Sequence, residues 1–329
     1  MDYSSWMRDL AEEIGPRPIY DISLVGSHNS ASFSIDIKFG IGEFSPVPAF
    51  LGFFFARWSK CHSHDLYEQL KRGVRYIDLR VCRSHIDSEL RTEHTVYGEK
   101  LEPLLNQIKR FLDEHPKELI ILYAHKFRSG FDSLEDHTAF LTLLKAAFPD
   151  HNTIFASQSE FDLPFSELKK RGRKVMLLYG NEEVVRNQQS GMNLLSPDES
   201  QFDAWYNQTS VKGLEAAINK GKPFIDPSRR KITVCQSVLS PKPLLTVIGG
   251  VFSILRFLLC NMISFNFYPQ NLQMMARGAN AYARKLITTK NDRVNVLLLD
   301  DVANYEMLIG NVINRNKPPL PYHEVDEKI

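Results

Sequence analysis

Short, uninterrupted apolar runs alternate along this chain with longer stretches whose apolar residues recur every three or four positions. The runs at 22–25, 74–80, 95–97, 119–123, 174–178, 232–234 and 294–299 predict strands. The spaced stretches at 2–14, 65–72, 101–115, 134–148, 165–170, 214–220, 274–287 and 305–314 predict helices. In 101–115 the spacing of Leu104, Leu105, Ile108, Phe111 and Leu112 marks one buried helical face. Continuous rather than alternating hydrophobicity belongs to parallel strands covered on both faces. Seven or eight strand–helix units, about the number in a closed barrel, predict an α/β fold: an irregular TIM-type β/α barrel.

The polar residues that interrupt this pattern share a position. In Gly73-Val74-Arg75-Tyr76-Ile77-Asp78-Leu79-Arg80, Asp78 and Arg80 lie two apart and face one side of a strand, with Leu79 on the other. Charges on an apolar strand are costly unless they are paired or face a wet cavity. His28, His94, Lys126, Tyr179 and Asp300 also fall at or just past predicted strand ends. In a parallel barrel those ends form the face that carries active sites. Two histidines, an arginine and carboxylates suit phosphoryl chemistry. One imidazole takes the proton of an attacking hydroxyl and another protonates the leaving oxygen. The guanidinium neutralises charge on the phosphorus oxygens.

Two stretches break the barrel rhythm: PVPAFLGFFFARW at 46–58 and PLLTVIGGVFSILRFLLCNMI at 243–263. Both are expected as insertions on the active face. The second is nearly long enough to span a bilayer but holds Arg256 and Gly249-Gly250, and the chain must return for another strand. An interfacial role is preferred: Phe53, Phe54, Phe55 and Trp58, with Leu255, Phe257 and Leu258, dip into one leaflet, and Arg57 and Arg256 meet lipid phosphates. The competing expectation is that they pack together or form a self-association contact.

With 43% hydrophobic and 24% charged residues, a large core is available, and a net charge of +1 gives no electrostatic footprint for nucleic acid. Cys61, Cys82, Cys235 and Cys260 lack CxxC spacing, which argues against a zinc framework and for a reducing compartment. The N-terminus has no signal-peptide pattern, so a cytoplasmic, peripheral membrane protein is expected. One domain is expected over 1–316, with an exposed tail at 317–329.

The stretches LVGSHNSAS (24–32), EQLKRGVRYIDLRV (68–81), EHTVYGEKL (93–101) and DEHPKELIILYAHKF (113–127) resemble the X domain of phosphatidylinositol-specific phospholipase C, closest to its stand-alone members. KVMLLYGNEEVV (174–185) and NVLLLDD (295–301) extend the resemblance more weakly. It implies an irregular TIM barrel and attack by the inositol 2-hydroxyl, giving a cyclic inositol phosphate and diacylglycerol. By similarity His28 is the general base and His94 the general acid. Arg80 contacts the phosphate, Asp78 holds Arg80 and the sugar side, and Asp300, rather than Asp301, orients His28. Asn29, His125, Lys126 and Tyr179 are expected to contact substrate. Calcium-dependent members carry a carboxylate where Arg80 stands, so no metal and no cofactor are expected. Asn29 departs from the aspartate of the metal-independent bacterial enzymes, which leaves open a catalytically weak lipid-binding module. A magnesium-dependent glycerophosphodiesterase or sphingomyelinase D-like enzyme is the other alternative. The expected partners are a phospholipid substrate, phosphatidylinositol itself for want of an extra basic cluster, and a membrane surface.

Overall fold

A computed structural model describes residues 2–42, 52–128, 130–131, 133–187, 191–226, 228–241, 271–289 and 293–318; for 52–55 only the backbone is described. Nine strands form one sheet: β1 Leu24–Ser27, β2 Val74–Arg83, β3 Leu90–His94, β4 Val96–Lys100, β5 Ile120–Arg128, β6 Val175–Tyr179, β7 Gln201–Asp203, β8 Ile232–Gln236 and β9 Val296–Leu299. Seven of them run parallel in the order β6-β5-β2-β1-β9-β8-β7. The sheet curls into an irregular TIM-type barrel. Among the described residues no ladder joins β6 to β7, and two isolated bridges, Phe155 with Val175 and Leu178 with Leu195, extend the β6 edge.

The strands are buried on both faces, as continuous hydrophobicity requires; β1, β6, β8 and β9 have no exposed residue. Helices Leu101–Glu114, Leu134–Ala147, Leu272–Thr289 and Glu306–Asn314 are among those that cover the outside. The first presents Leu104, Leu105, Ile108, Phe111 and Leu112 to the core, all fully buried or nearly so. The expected N-terminal helix is two short turns, Trp6–Asp9 and Ala11–Ile14. They are tied to the barrel floor by Glu118, which accepts from the Met7 and Arg8 amides and pairs with the fully buried Arg75 at 2.6 Å. Asn316 closes the far end of the chain onto the start, accepting from the Ser23 amide at 2.8 Å and from Arg17 at 2.6 Å.

Two departures from the expected pattern shape the mouth. β3 and β4 are not barrel strands; they form an antiparallel hairpin on the long β2, pairing through Cys82 with Arg91 and Arg83 with Leu90. His94 therefore reaches the mouth from this hairpin. Gly73 opens β2 with φ of +106°, a conformation that side chains rarely adopt. Segment 243–263, with Leu255, Phe257 and Leu258, and residues 46–51 lie outside the described residues, as do 319–329 of the expected tail.

Candidate active site

Strand alternation decides which residues enter the barrel. Partners across a parallel ladder face the same way, and Tyr76, Asp78 and Arg80 pair with Ile121, Tyr123 and His125. Tyr76 crosses the interior to donate to Gln201 Oε1 at 2.9 Å, so this parity is the inward one. Asp78 and Arg80 thus share the inward face. They do not form a tight pair, since Arg80 Nε and Asp78 Oδ1 are 3.9 Å apart. Each is committed to a histidine instead. Arg80 Nη2 donates to His28 Nε2 at 2.7 Å. His125 Nε2 makes a very short contact with Asp78 Oδ1, and its ring stacks on Tyr123 with centroids 4.0 Å apart. Gly180 lets the chain after β6 pass close to His125; a methyl there would come within 2.7 Å of His125 Cβ.

His28 follows β1 and is held on both nitrogens. Its Nδ1 is 2.8 Å from Asp300 Oδ1, at the end of β9. A guanidinium has only donors, so Nε2 must be the acceptor and the ring proton sits on Nδ1, toward Asp300. Burial alone would raise the Asp300 carboxyl, but His28, His62 and Cys61 together outweigh this and lower it. Burial likewise opposes ionisation of Asp78, and His125 and Arg80 overcome it, holding that carboxyl far below the usual range. Asp301 is turned elsewhere, accepting from Ser63 Oγ at 2.8 Å and Asn304 at 2.9 Å. Of the two carboxylates, Asp300 is the partner of His28.

The His94 ring lies 6.2 Å from that of His28, nearly perpendicular at 89°. Its Nδ1 is 2.9 Å from the Ser59 carbonyl, which can only accept. Nε2 is therefore the nitrogen free to exchange a proton. Burial, then the Arg80 charge, push its pKa from 6.5 down to about 3, so it is neutral in the free protein.

A segment the sequence reading passed over holds both rings. Ser59 fixes His94, and His62 Nε2 donates to the His28 carbonyl at 2.8 Å. Between them the buried Cys61 places its sulfur 3.7 Å from His28 Nδ1 and 3.8 Å from His94 Nδ1. Burial pushes this thiol well above its ordinary pKa, which keeps it neutral. The residues Cys-His-Ser-His at 61–64 were the available signal. Also missed was Asp203, at the end of β7. It accepts from Gln236 at 2.6 Å.

Other expected contacts fall differently. Asn29 is fully buried in a left-handed turn with φ of 45°, and its backbone N–H, not its amide, donates to Asp78 Oδ2 at 2.8 Å. Its side-chain amide has no hydrogen-bond partner. Lys126 is exposed where a bulge with φ of 54° breaks the alternation of β5. Tyr179 is a correction. Its ladder partner is Ala124, of the outward parity, and its hydroxyl meets His137 Nδ1 at 2.8 Å in the helix layer, away from the mouth. Trp58 is a second correction: it is 5% exposed and packs in the core rather than on a rim. It lies on helix Gly52–Ser59, where the side chains of Phe53, Phe54 and Phe55 are outside the described residues.

No family model matches the chain. Its curated relatives are PI-PLC X domain-containing proteins. That called number 3 in Danio rerio is 28% identical over 267 residues, 77% of this chain and 79% of the relative. Number 2 in Homo sapiens is 25% identical, over 84% of this chain and 90% of the relative. Among solved structures, phosphatidylinositol-specific phospholipase C from Listeria monocytogenes matches with a TM-score of 0.65 at 18% identity, covering 97% of this chain and all of that one. The Staphylococcus aureus phospholipase, from a study of its membrane binding, matches with a TM-score of 0.64 at 18% identity, over 96% and 98% of the two chains. At these identities the likeness shows the fold, that of the bacterial phosphatidylinositol-specific phospholipases C.

Proposed function

We propose that this protein cleaves the phosphodiester of a phosphatidylinositol-type lipid by paired-histidine acid–base catalysis. The observation that carries the reading is the two imidazoles 6.2 Å apart, one of them joined to Arg80 at 2.7 Å and to Asp300 at 2.8 Å. His28 Nε2 takes the proton of the inositol hydroxyl that attacks phosphorus, and Asp300 stabilises the imidazolium that forms. Arg80, released from Nε2, turns its donors to the phosphate oxygens. His94 delivers a proton to the oxygen leaving as diacylglycerol. It is neutral in the free protein, and an arriving phosphate anion raises its pKa, so substrate itself charges the acid. The first product is a cyclic inositol phosphate.

Asp78 and His125 hold Arg80's face of the site. Asp203, exposed at the barrel mouth beside Gln236, is suited to accept from inositol hydroxyls. The reaction needs no metal, because the guanidinium supplies the positive charge.

The lipid meets this mouth at a membrane surface. Trp205, two residues past β7 and 64% exposed, and Ile86, in the turn of the β2–β3 hairpin and 60% exposed, are apolar side chains on that end of the barrel. They join Phe53, Phe54, Phe55, Leu255, Phe257 and Leu258 as the proposed contact with one leaflet. Among the described residues no helix is long and apolar enough to cross a membrane.

One observation favours a second reading, a lipid-binding module without turnover: in the free protein Arg80 occupies the lone pair of the base. Incubation with phosphatidylinositol vesicles separates the two. Release of cyclic inositol phosphate by wild type and its loss in His28→Ala supports the phosphodiesterase. Vesicle binding without release by either protein overturns it.

A further inference from the structure

On the edge of His28 that faces away from Arg80, three metal-ligating groups converge for which the proposed reaction has only partial use. His28 Nδ1, Cys61 Sγ and a carboxylate oxygen of Asp300 all lie within 4.8 Å of one another. A tetrahedral zinc ion, with bonds of about 2.0–2.3 Å, sets its ligand atoms about 3.4–3.6 Å apart. Cys61 Sγ and His28 Nδ1 are already 3.7 Å apart. His28 Nδ1 and Asp300 Oδ1, at 2.8 Å, need only open by about half an ångström. A separate observation points the same way. Asp300 is 1% exposed, yet its Oδ2 lacks a well-formed hydrogen bond, and the side-chain thiol that interacts with this carboxylate is Cys61.

We propose that His28 Nδ1, Cys61 Sγ and the Asp300 carboxylate form an inhibitory site for a soft divalent cation, zinc above all. Thiolate and imidazole together select zinc over calcium or magnesium, which prefer oxygen ligands. The cation replaces two protons, one from the thiol and one from Nδ1, and both go to solvent. One thiolate and one carboxylate then balance its two charges. Arg80 does not oppose it at close range, because the guanidinium contacts Nε2 on the other side of the ring. His28, with 15% of its side chain exposed, is the way in.

Occupation breaks the hydrogen bond from Nδ1 to Asp300 and ties the imidazole to a cation. An imidazole so held is a poor base. The inhibitory consequence rests on the phosphodiesterase reading, whereas binding does not, and the two are measured separately.

Binding is tested with the full chain and the metal alone. Cobalt(II) chloride added to the wild-type protein is expected to give a near-ultraviolet thiolate-to-cobalt charge-transfer band at one equivalent, which zinc chloride abolishes. Competition against a chromophoric chelator then yields the zinc affinity. Cys61→Ser and Cys61→Ala should lose the band and bind zinc about tenfold or more weakly, since a thiolate ligand is removed. Cys82→Ser, whose thiol contacts the Arg91 carbonyl instead, should keep both. The absence of a band in folded wild type overturns the site without recourse to any variant. So does a band that survives in Cys61→Ala or disappears in Cys82→Ser. If the band appears as described and lipid cleavage is found, one equivalent of zinc should suppress cleavage in a chelator-reversible manner. Cleavage unaffected by bound zinc would overturn the inhibition while leaving the site standing. Failure to find cleavage at all would fall on the proposed function.

Discussion

Arg80 Nη2 sits 2.7 Å from His28 Nε2, so the guanidinium caps the nitrogen that accepts a proton in the proposed reaction. Because arginine only donates, this contact also determines the tautomer, leaving the ring proton between Nδ1 and Asp300.

The two carboxylates at the end of β9 should separate cleanly. Asp300→Asn removes the charge behind His28 and permits the wrong tautomer. A fall in kcat of about 10²–10⁴-fold with little change in KM is expected. Asp301→Asn, which loses bonds only to Ser63 and Asn304, should keep kcat within a few-fold of wild type. Steady-state kinetics on phosphatidylinositol vesicles measure both, and equal losses would contradict the assignment.

Chelators should not diminish cleavage. With Arg80 supplying the positive charge, activity in excess EDTA is expected to equal or exceed that in untreated buffer. The excess would appear wherever traces of zinc were bound. Abolition that calcium restores would refute a metal-independent reaction.

Acid should weaken the fold before it touches the carboxylates. Burial, with the Arg80 charge, lowers His94 from 6.5 to about 3. His62 and His137 are lowered too, chiefly by burial. Below 6.5 the unfolded chain binds protons that the folded chain refuses, so stability falls as pH falls toward 3. Each such histidine contributes at most about 1.4 kcal/mol per pH unit. Asp78 and Asp300, depressed in the fold, add a second loss once pH drops below the ordinary carboxylate value of 3.8. Urea midpoints that decline from pH 7 to pH 5 at constant m would bear this out; a flat profile would not.

Glu118→Ala should be costly. The carboxylate is fully buried against Arg75, which stacks over Phe111 at 4.8 Å. Removing it strands a buried guanidinium, for a loss of about 3–5 kcal/mol. Equilibrium denaturation measures the change.

Tyr179→Phe should affect stability and not substrate. Losing the hydroxyl strands His137 Nδ1 in the helix layer and costs about 1–3 kcal/mol. KM for phosphatidylinositol should stay as in wild type. A several-fold rise would return Tyr179 to the inositol subsite.

The chain's hydrophobic pattern alone determined the barrel class, because parallel strands buried on both faces must read as unbroken apolar runs. It also determined that Asp78 and Arg80 share a face, since strand parity is local. The order of histidine, charged strand, second histidine and terminal aspartate was legible as a resemblance carried by motifs. The tertiary structure decided the pairings. Asp78 and Arg80 look like one ion pair in sequence, yet each goes to a different histidine. Asp300 and Asp301 are indistinguishable until the end of β9 is placed against His28. Tyr179 turns outward because the ladder registers it with Ala124, and a strand's parity relative to the barrel axis depends on its neighbours. Trp58 packs into the core although Arg57, Ser59 and Lys60 flank it in the chain, because the helix turns its indole inward. Residues 59–64 carry no periodicity at all, and their hold on His28 and His94 arises from contacts more than thirty residues apart in the chain, which no local pattern encodes.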